Sequence, residues 1–346
     1  MSQRKSNVFL VFTQYHLMIS VNIIFDRFKE YNNIIYFSDN GRMDLDNKSS
    51  EEFIHLIKIK KGDEIQQKYI DEIVSSKPER FFIFQEDNIE IHYLTYMLSK
   101  KGIKIALAQD GNKPYCVIKK DKLFLSIVRD NYYNYLFMFK RRKYIYNYGF
   151  YNKYKYGTLK QLDEIWLTHP EAFIKTSKKP IVKNPDFSKA SIDYLVKLFG
   201  FDSNIDLQNI FFYIAKPLKE DYWNTEYEIL KSILASKINV RIIYKTHPNQ
   251  SPKMLEYYNN FNNVELLYDK TPAELYIFNI SNSVVMGINS AAMITYNPSN
   301  QYINISQLFK GGRYFTQYTV QNPVTHIKNV SSMEELTSLC FNSANN

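Results

Sequence analysis

Short apolar runs bounded by Gly, Pro, Asn and Asp alternate with amphipathic stretches of helical period along most of this 346-residue chain. The runs at 7–13, 33–37, 53–58, 80–85 and 104–109 read as strands, being rich in Ile, Val and Phe and too short for buried helices. Helical periodicity predicts helices at 15–27, 64–75 and 89–100. A long basic and aromatic stretch follows, and a further strand is expected at 164–168. The connection after it carries Lys178, Lys179, Pro180, Lys183, Asn184 and Pro185. Its polar, Pro-punctuated character places a domain boundary there, giving domains of 1–185 and 186–346. The second half repeats the alternation. Strands are expected at 209–215, 240–245, 264–267, 283–286 and 302–305, with helices at 222–236, 252–260, 272–278 and 290–296.

Two successive α/β halves of similar size predict two Rossmann-like domains facing a cleft, with ligands at the mouths of both sheets. Hydrophobic residues at 45% and charged residues at 23% support packed cores rather than disorder. Cys116 and Cys340 match no metal or redox spacing, which fits a reducing compartment. The first seven residues are polar and run straight into a strand, without a signal-peptide pattern, and no apolar run approaches bilayer-spanning length. The expectation is a cytoplasmic protein.

The net charge of +9 is local. Between Asn112 and Lys160 stand twelve Lys/Arg against two Asp, a balance of +10, together with ten of the 29 tyrosines. Cations interleaved with aromatics suit the anionic inner face of a membrane. The same composition also arises from the Lys, Asn, Ile and Tyr enrichment of the whole chain. No zinc-finger, KH or RRM signature supports nucleic acid as a partner.

Four places carry candidate chemistry. Gln109-Asp110-Gly111 follows the buried run 103–108, so Asp110 stands at a strand end where a carboxylate can take a proton from a sugar hydroxyl; Asp-Gly is equally a common turn. Lys245-Thr246-His247-Pro248 follows the run 240–244. Proline biases His247 toward extended backbone, and an imidazole there suits a leaving phosphate, with Lys245 adding charge. A second His-Pro, His169-Pro170, reads as a polar cap. Ser283 to Ala292 is a strand, a turn at Gly287, and Asn289-Ser290 opening a helix, which is an anion site and an ordinary N-cap at once. Thr271-Pro272-Ala273-Glu274 matches a capping box, and Glu274 could also accept ribose hydroxyls. Asp44-Leu45-Asp46 has a metal-binding spacing but lies in a polar loop and is set aside. Gln14 and His16 after the first strand are candidates for an acceptor sugar or for a helix cap.

Taken in order, Gln109-Asp110-Gly111, His247-Pro248 and Asn289-Ser290 resemble the bacterial sialyltransferases and polysialyltransferases, glycosyltransferase family 52 in particular. The Lys-x-His-Pro form and a Glu between the last two motifs belong to the same resemblance. Gln109 stands where that group has a first acidic residue, and Ser290-Ala291 replaces two adjacent hydroxyls. The resemblance implies a GT-B fold, CMP-sialic acid as donor, inversion at the anomeric carbon, and no metal or other cofactor. It makes Asp110 the general base and His247 the phosphate partner or acid. Lys245, Pro248, Gly287, Asn289 and Ser290 would line the donor phosphate, with Glu274 at the ribose. Gln14, His16, Gln109 and Gly111 would face the acceptor, a galactose or other sugar of a lipid-linked lipopolysaccharide, O-antigen or capsule glycan. A Kdo transferase or capsule polymerase of the same fold, or a non-catalytic membrane-surface scaffold, are the competing readings.

Each cation near an anionic surface contributes about 1 kcal/mol, so four or five of the twelve suffice for salt-sensitive attachment. Replacing Lys140, Arg141, Arg142 and Lys143 with Ser is expected to release the chain from anionic vesicles in co-sedimentation. No vesicle binding by the parent protein at low salt would end the membrane reading.

Overall fold

The computed structural model describes residues 4–39, 45, 51–60, 67–86, 89–118, 156–174, 177–202, 207–236, 241–258, 261–309, 318–320 and 324–342. Asp44, Asp46 and most of the basic-aromatic stretch lie outside them. The chain divides into two compact units, Met1–Leu198 and Phe199–Asn346.

The first unit runs β1 (Ser6–Val11), α1 (Gln14–Arg27), β2 (Asn32–Asp39), β3 (Ile54–Lys60), α2 (Gln67–Ser75), β4 (Arg80–Ile83), α3 (Ile89–Ser99), β5 (Lys104–Ala108), the short β6 (Cys116–Ile118), β7 (Glu164–Leu167), β8 (Ile181–Lys183) and α4 (Lys189–Phe199). Its seven-stranded sheet has the order β3-β2-β1-β4-β5-β7-β8, and the pairings are parallel. The inner strands β1, β4, β5 and β7 are almost wholly buried because helices cover both faces. Val8, Leu10, Phe81, Ile83, Ile105 and Leu107 face α2 and α3, where Ile70, Ile73, Leu94 and Leu98 meet them. The alternate residues face the other way. Phe9 stacks on Phe82 with ring centroids 4.3 Å apart, and Phe28 beyond the end of α1 closes on Phe82 and Trp166. Each buried aromatic or aliphatic side chain stabilises the unit by roughly 1.5–3 kcal/mol. α1 is apolar around nearly its whole circumference, with every residue from His16 to Phe25 buried, as a helix enclosed by protein requires.

The second unit runs β9 (Phe211–Ile214), α5 (Trp223–Ser236), β10 (Ile242–Lys245), α6 (Pro252–Tyr258), β11 (Val264–Leu267), α7 (Ala273–Asn279), β12 (Val284–Gly287), β13 (Gln301–Asn304), the short β14 (Tyr318–Val320), β15 (Ile327–Asn329) and α8 (Met333–Asn342). Its sheet repeats the same plan, β11-β10-β9-β12-β13-β15, again parallel. Tyr213, Tyr244 and Met286 face α5, α6 and α8 through Ile229, Met254 and Leu336. On the opposite face Phe212 stacks on Tyr276 of α7, 5.5 Å between centroids.

Three expectations change. The division falls after Leu198 rather than Pro185, because the segment beyond Pro185 belongs to α1. The Ser191 hydroxyl donates to Asn22 Oδ1 at 3.1 Å, Asn22 Nδ2 donates to the Pro185 carbonyl at 2.7 Å, and Tyr194 packs on Phe25. The polar connection itself contains the edge strand β8, whose flanking Ile181 and Lys183 are exposed. The helix expected at 290–296 is only the 3-10 turn Ala291–Ile294. Among the described residues no helix is long and apolar enough to cross a membrane.

Gly157 and Gly200 both have left-handed backbone, φ +77° and +60°. A Cβ at Gly200 meets nothing within 4 Å, whereas one at Gly157 collides with Ile165 Cδ1 and comes within 3.2 Å of Ser177 Cβ. Gly200→Ala is therefore expected to cost about 1 kcal/mol of conformational strain and Gly157→Ala roughly 2–4 kcal/mol. Urea unfolding of the two variants measures the difference; equal losses would contradict this reading of the Gly157 turn.

Candidate functional site

In each sheet the strand order reverses beside the first strand, between β1 and β4 and between β9 and β12. Loops diverge at such a point and leave a crevice outside the carboxyl ends of the strands. The candidate residues are found at these two edges, and each edge is described in turn.

In the first unit the loops after β1, β4 and β5 bring His16, Phe84 and Asp110 together. Thr13 caps α1, its hydroxyl accepting from the His16 N–H at 3.2 Å. That cap turns the His16 ring inward, where it stacks on Phe84 at 4.4 Å between centroids. His16 Nδ1 accepts the Phe12 N–H, and Nε2 faces Asp110 Oδ1 at 3.0 Å. The other carboxylate oxygen pairs with Lys113 Nζ at 2.6 Å. Burial alone would raise the Asp110 pKa. The His16 ring, then the Lys113 ammonium, more than offset it and hold the carboxyl at about 2. The Asp110 side chain keeps 15% exposure, and His16 keeps none. Gly111, φ +54°, takes the chain away in a conformation that favours glycine.

Two of the acceptor candidates are turned to other tasks. Gln109 is fully buried. Its Nε2 donates to the Tyr15 hydroxyl at 2.7 Å, while its Oε1 accepts from Tyr115 and, at 2.8 Å, from the Thr168 N–H. It ties the β5 end to the β7 end and offers no polar atom outward. His16, equally buried, touches Asp110 and not the exterior. Gln14 opens α1, with Thr13 rather than Gln14 or His16 serving as cap. His169 stands at the carboxyl end of β7, its N–H donating to Tyr115 and its Nδ1 3.1 Å from Glu171. A further buried carboxylate, Glu86 after β4, accepts the N–H groups of Gly157 and Leu159 and fixes the chain where it returns toward β7.

In the second unit one register row holds Leu267, Lys245, Ile214, Gly287, Asn304 and Asn329 across the carboxyl edge. Lys245 and Gly287 flank Ile214, two strand spacings or about 10 Å apart. After β10, the His247 N–H donates to Gln250 Oε1 at 3.0 Å, and His247 Nδ1 accepts the Asn249 N–H at 3.1 Å. The ring is half-buried and Pro248 exposed. Behind this turn Gln250 donates to the Tyr244 hydroxyl at 2.6 Å, and Tyr244 donates to Glu226 at 3.2 Å. Glu226 also receives the hydroxyls of Tyr213 and Tyr258. Burial pushes its pKa up to about 7, against the pull of those three donors.

Lys245 is not directed at an open anion site. Buried at 5% exposure, its ammonium donates to the Asp269 carbonyl and lies 3.2 Å from Asp269 Oδ1. Burial lowers its pKa, and Asp269 counters that. The expected capping box does not form: Pro272 is the cap of α7 and makes no side-chain bond, while the Thr271 N–H goes to Asp269. Glu274 is thereby left buried in the first turn, its pKa pushed up to about 7 by desolvation with Lys245 pulling the other way. Gly287 ends β12, where an added Cβ would lie 3.2 Å from Met293 Sδ and 3.4 Å from the Ile214 carbonyl. Asn289, φ +48°, exchanges bonds with Asn304 at 3.0 and 2.9 Å. Ser290, half-buried, caps the 3-10 turn without a side-chain cap bond. Among the described residues no group of three or more His, Cys, Asp and Glu gathers to hold a metal.

No protein-family model matches the chain, and no curated protein matches its sequence. Solved structures match its fold. A Listeria monocytogenes protein assigned as a UDP-N-acetylglucosamine 2-epimerase has 11% identity and TM-score 0.58, over 99% of this chain and 88% of its own. The glycotransferase of kitacinnamycin has 9% identity and TM-score 0.56, over 100% and 92%. A sialyltransferase from Photobacterium damsela has 13% identity and TM-score 0.52, over 94% and 81%. At these identities the likeness shows the fold, which is GT-B.

The Asp110 carboxyl gives a signed pH prediction. Its folded pKa of about 2 lies below the ordinary 3.8, so the stability it contributes is present above pH ~4 and is lost as pH falls toward 2. The shift corresponds to about 2 kcal/mol. Urea unfolding should find the parent more stable than Asp110→Asn by about that much at pH 6, with the gap narrowing to about half by pH 3. A gap that does not change with pH would contradict the ionised pairing.

Proposed function

We propose that this chain is an inverting, metal-independent sialyltransferase that moves sialic acid from CMP-sialic acid to a hydroxyl of a glycan. The observation that carries the reading is Asp110, an ionised carboxylate held by His16 and Lys113 at the carboxyl end of β5, the strand next to the order reversal between β1 and β4. The order of Asp110, His247-Pro248, Glu274 and Ser290 along the chain supports the CMP-sialic acid assignment, and the GT-B fold accommodates it.

In this reading the acceptor oxygen bonds to the anomeric carbon on the face opposite the leaving group. The anomeric C–O bond to phosphate breaks, and its electron pair departs with CMP. The hydroxyl proton passes to Asp110. With a pKa near 2, Asp110 is a weak base toward a ground-state alcohol. It is suited to a late transfer, after partial C–O bonding has made the hydroxyl acidic. In the second unit His247 donates to the departing phosphate, and the Ser290 hydroxyl binds it. Neutral Glu274 faces the ribose, where a protonated carboxyl both donates and accepts. Lys245 acts through Asp269 rather than on phosphate. Because a proton donor and a hydroxyl serve the phosphate, no divalent cation is required.

The test is a product assay with labelled CMP-sialic acid, a panel of acceptors, UDP-sugars as competing donors, and excess EDTA in parallel. Transfer from CMP-sialic acid that survives chelation is expected. Asp110→Asn should lose about 100- to 10,000-fold in transfer with CMP affinity nearly unchanged. His247→Ala should fall severely, while His169→Ala stays near the parent. Transfer by Asp110→Asn within tenfold of the parent, or turnover of UDP-sugars alone, would reject the assignment.

A further inference from the structure

The fully buried His16 ring is the feature of the first unit that packing does not account for. It lies between Phe12 and Phe84, edge-on to one and stacked on the other, where an aliphatic side chain would fill the same space without a polar cost. Both of its nitrogens are committed. The Phe12 N–H points at Nδ1 from 3.3 Å, which places the ring hydrogen of that tautomer on Nε2, and Nε2 meets Asp110 Oδ1 at 3.0 Å. The partner is 94 residues away in sequence and is the one candidate base. Thr13, capping α1 through the His16 N–H, fixes the backbone from which the ring projects.

We infer that His16 is the positioning residue of the Asp110 base: it engages Oδ1 and fixes the plane in which the carboxylate meets the acceptor hydroxyl. The inference rests on the assignment of Asp110 as base. Oδ2 pairs with Lys113 Nζ at 2.6 Å, on a side chain that is 39% exposed. The other charged and titratable groups around Asp110 are otherwise engaged. Tyr156 donates its hydroxyl to the Ala108 carbonyl at 2.6 Å, and Glu86 holds the Gly157 and Leu159 amides. Orientation of the carboxylate therefore falls to His16 from α1 and Lys113 from its own loop. An unoriented carboxylate would lose near-attack geometry, which affects turnover more than donor binding.

The experiment compares His16→Leu, which keeps the packing and removes the bond, with His16→Gln, which can still donate toward Oδ1. Three quantities are read: kcat, KM for CMP-sialic acid, and the acid limb of the kcat/KM profile. His16→Leu is expected to lose about 10- to 100-fold in kcat with KM within threefold, and its acid limb should move up by a pH unit or more. His16→Gln should recover part of both. Because His16→Leu could fail to fold, the Asp110 carboxyl is also titrated by carbon NMR in the parent and in His16→Gln, which needs no turnover. The midpoint should be higher in the variant. An inactive Asp110→Asn alongside folded His16 variants with parental kcat, acid limb and midpoint would overturn the role of His16 alone. A fully active Asp110→Asn would remove the base assignment, and the inference with it.

Discussion

Parallel strand pairing is the constraint on which the rest depends. A parallel strand cannot return through a hairpin, so each of the long sheets needs a crossover between neighbours. Every strand therefore ends on the same edge. Residues that are remote in sequence are delivered to that edge by geometry alone: Thr13 and His16 from β1, Phe84 and Glu86 from β4, Gln109 and Asp110 from β5, Thr168 from β7. The reversal of order at β1/β4 and β9/β12 opens the space between those loops. Chemistry placed anywhere else in such a sheet would lie in the core or beneath a helix.

The buried carboxylates illustrate how partners, not burial, decide what an acid does. Asp110 has a ring donor and an ammonium and stays ionised, with its pKa at about 2. Glu226 has three tyrosine hydroxyls but no cation, and burial prevails, pushing it up to about 7. Glu274, also at about 7, has its own backbone N–H and the charge of a lysine committed to Asp269, and burial again prevails. Hydrogen bonding to the charged form and a nearby cation favour ionisation, and desolvation opposes it. The first unit thus keeps Asp110 ionised, whereas the second keeps acids that are protonated over part of the neutral range. Glu226 is fully buried and serves as the anchor of a chain of bonds through Tyr244 and Gln250 to the His247 turn.

Strands and helices were legible where apolar runs and turn residues agree, and the parallel class followed from their alternation. What escaped were short edge elements such as Ile181–Lys183, whose three residues carry no period, and α4, whose polar start resembles a linker. Asp110, His247 and Ser290 were legible as residues standing just beyond strand-like runs. Their neighbours were not. The resemblance turns Gln109 toward the acceptor, yet three partners from three segments bury it. His16 reads as an acceptor contact or a cap, because the sequence contains nothing that points its ring at a residue 94 positions on. Thr271-Pro272-Ala273-Glu274 fits a capping box in letters, but Asp269 takes the Thr271 amide first. For Gln109 and His16 a long-range contact prevailed over a local preference; for Thr271 a competing local one did.

The central claim is that the carboxyl edge of the second unit receives a cytidine nucleotide. Hydrogen–deuterium exchange of the full chain with and without CMP tests it most directly. Slowed exchange is expected at 246–250 after β10, at 269–275 around Asp269 and Glu274, and at 287–291 after β12, with the opposite edge of the same sheet unchanged. Unchanged exchange at saturating CMP, or protection confined to segments away from these loops, would contradict the account.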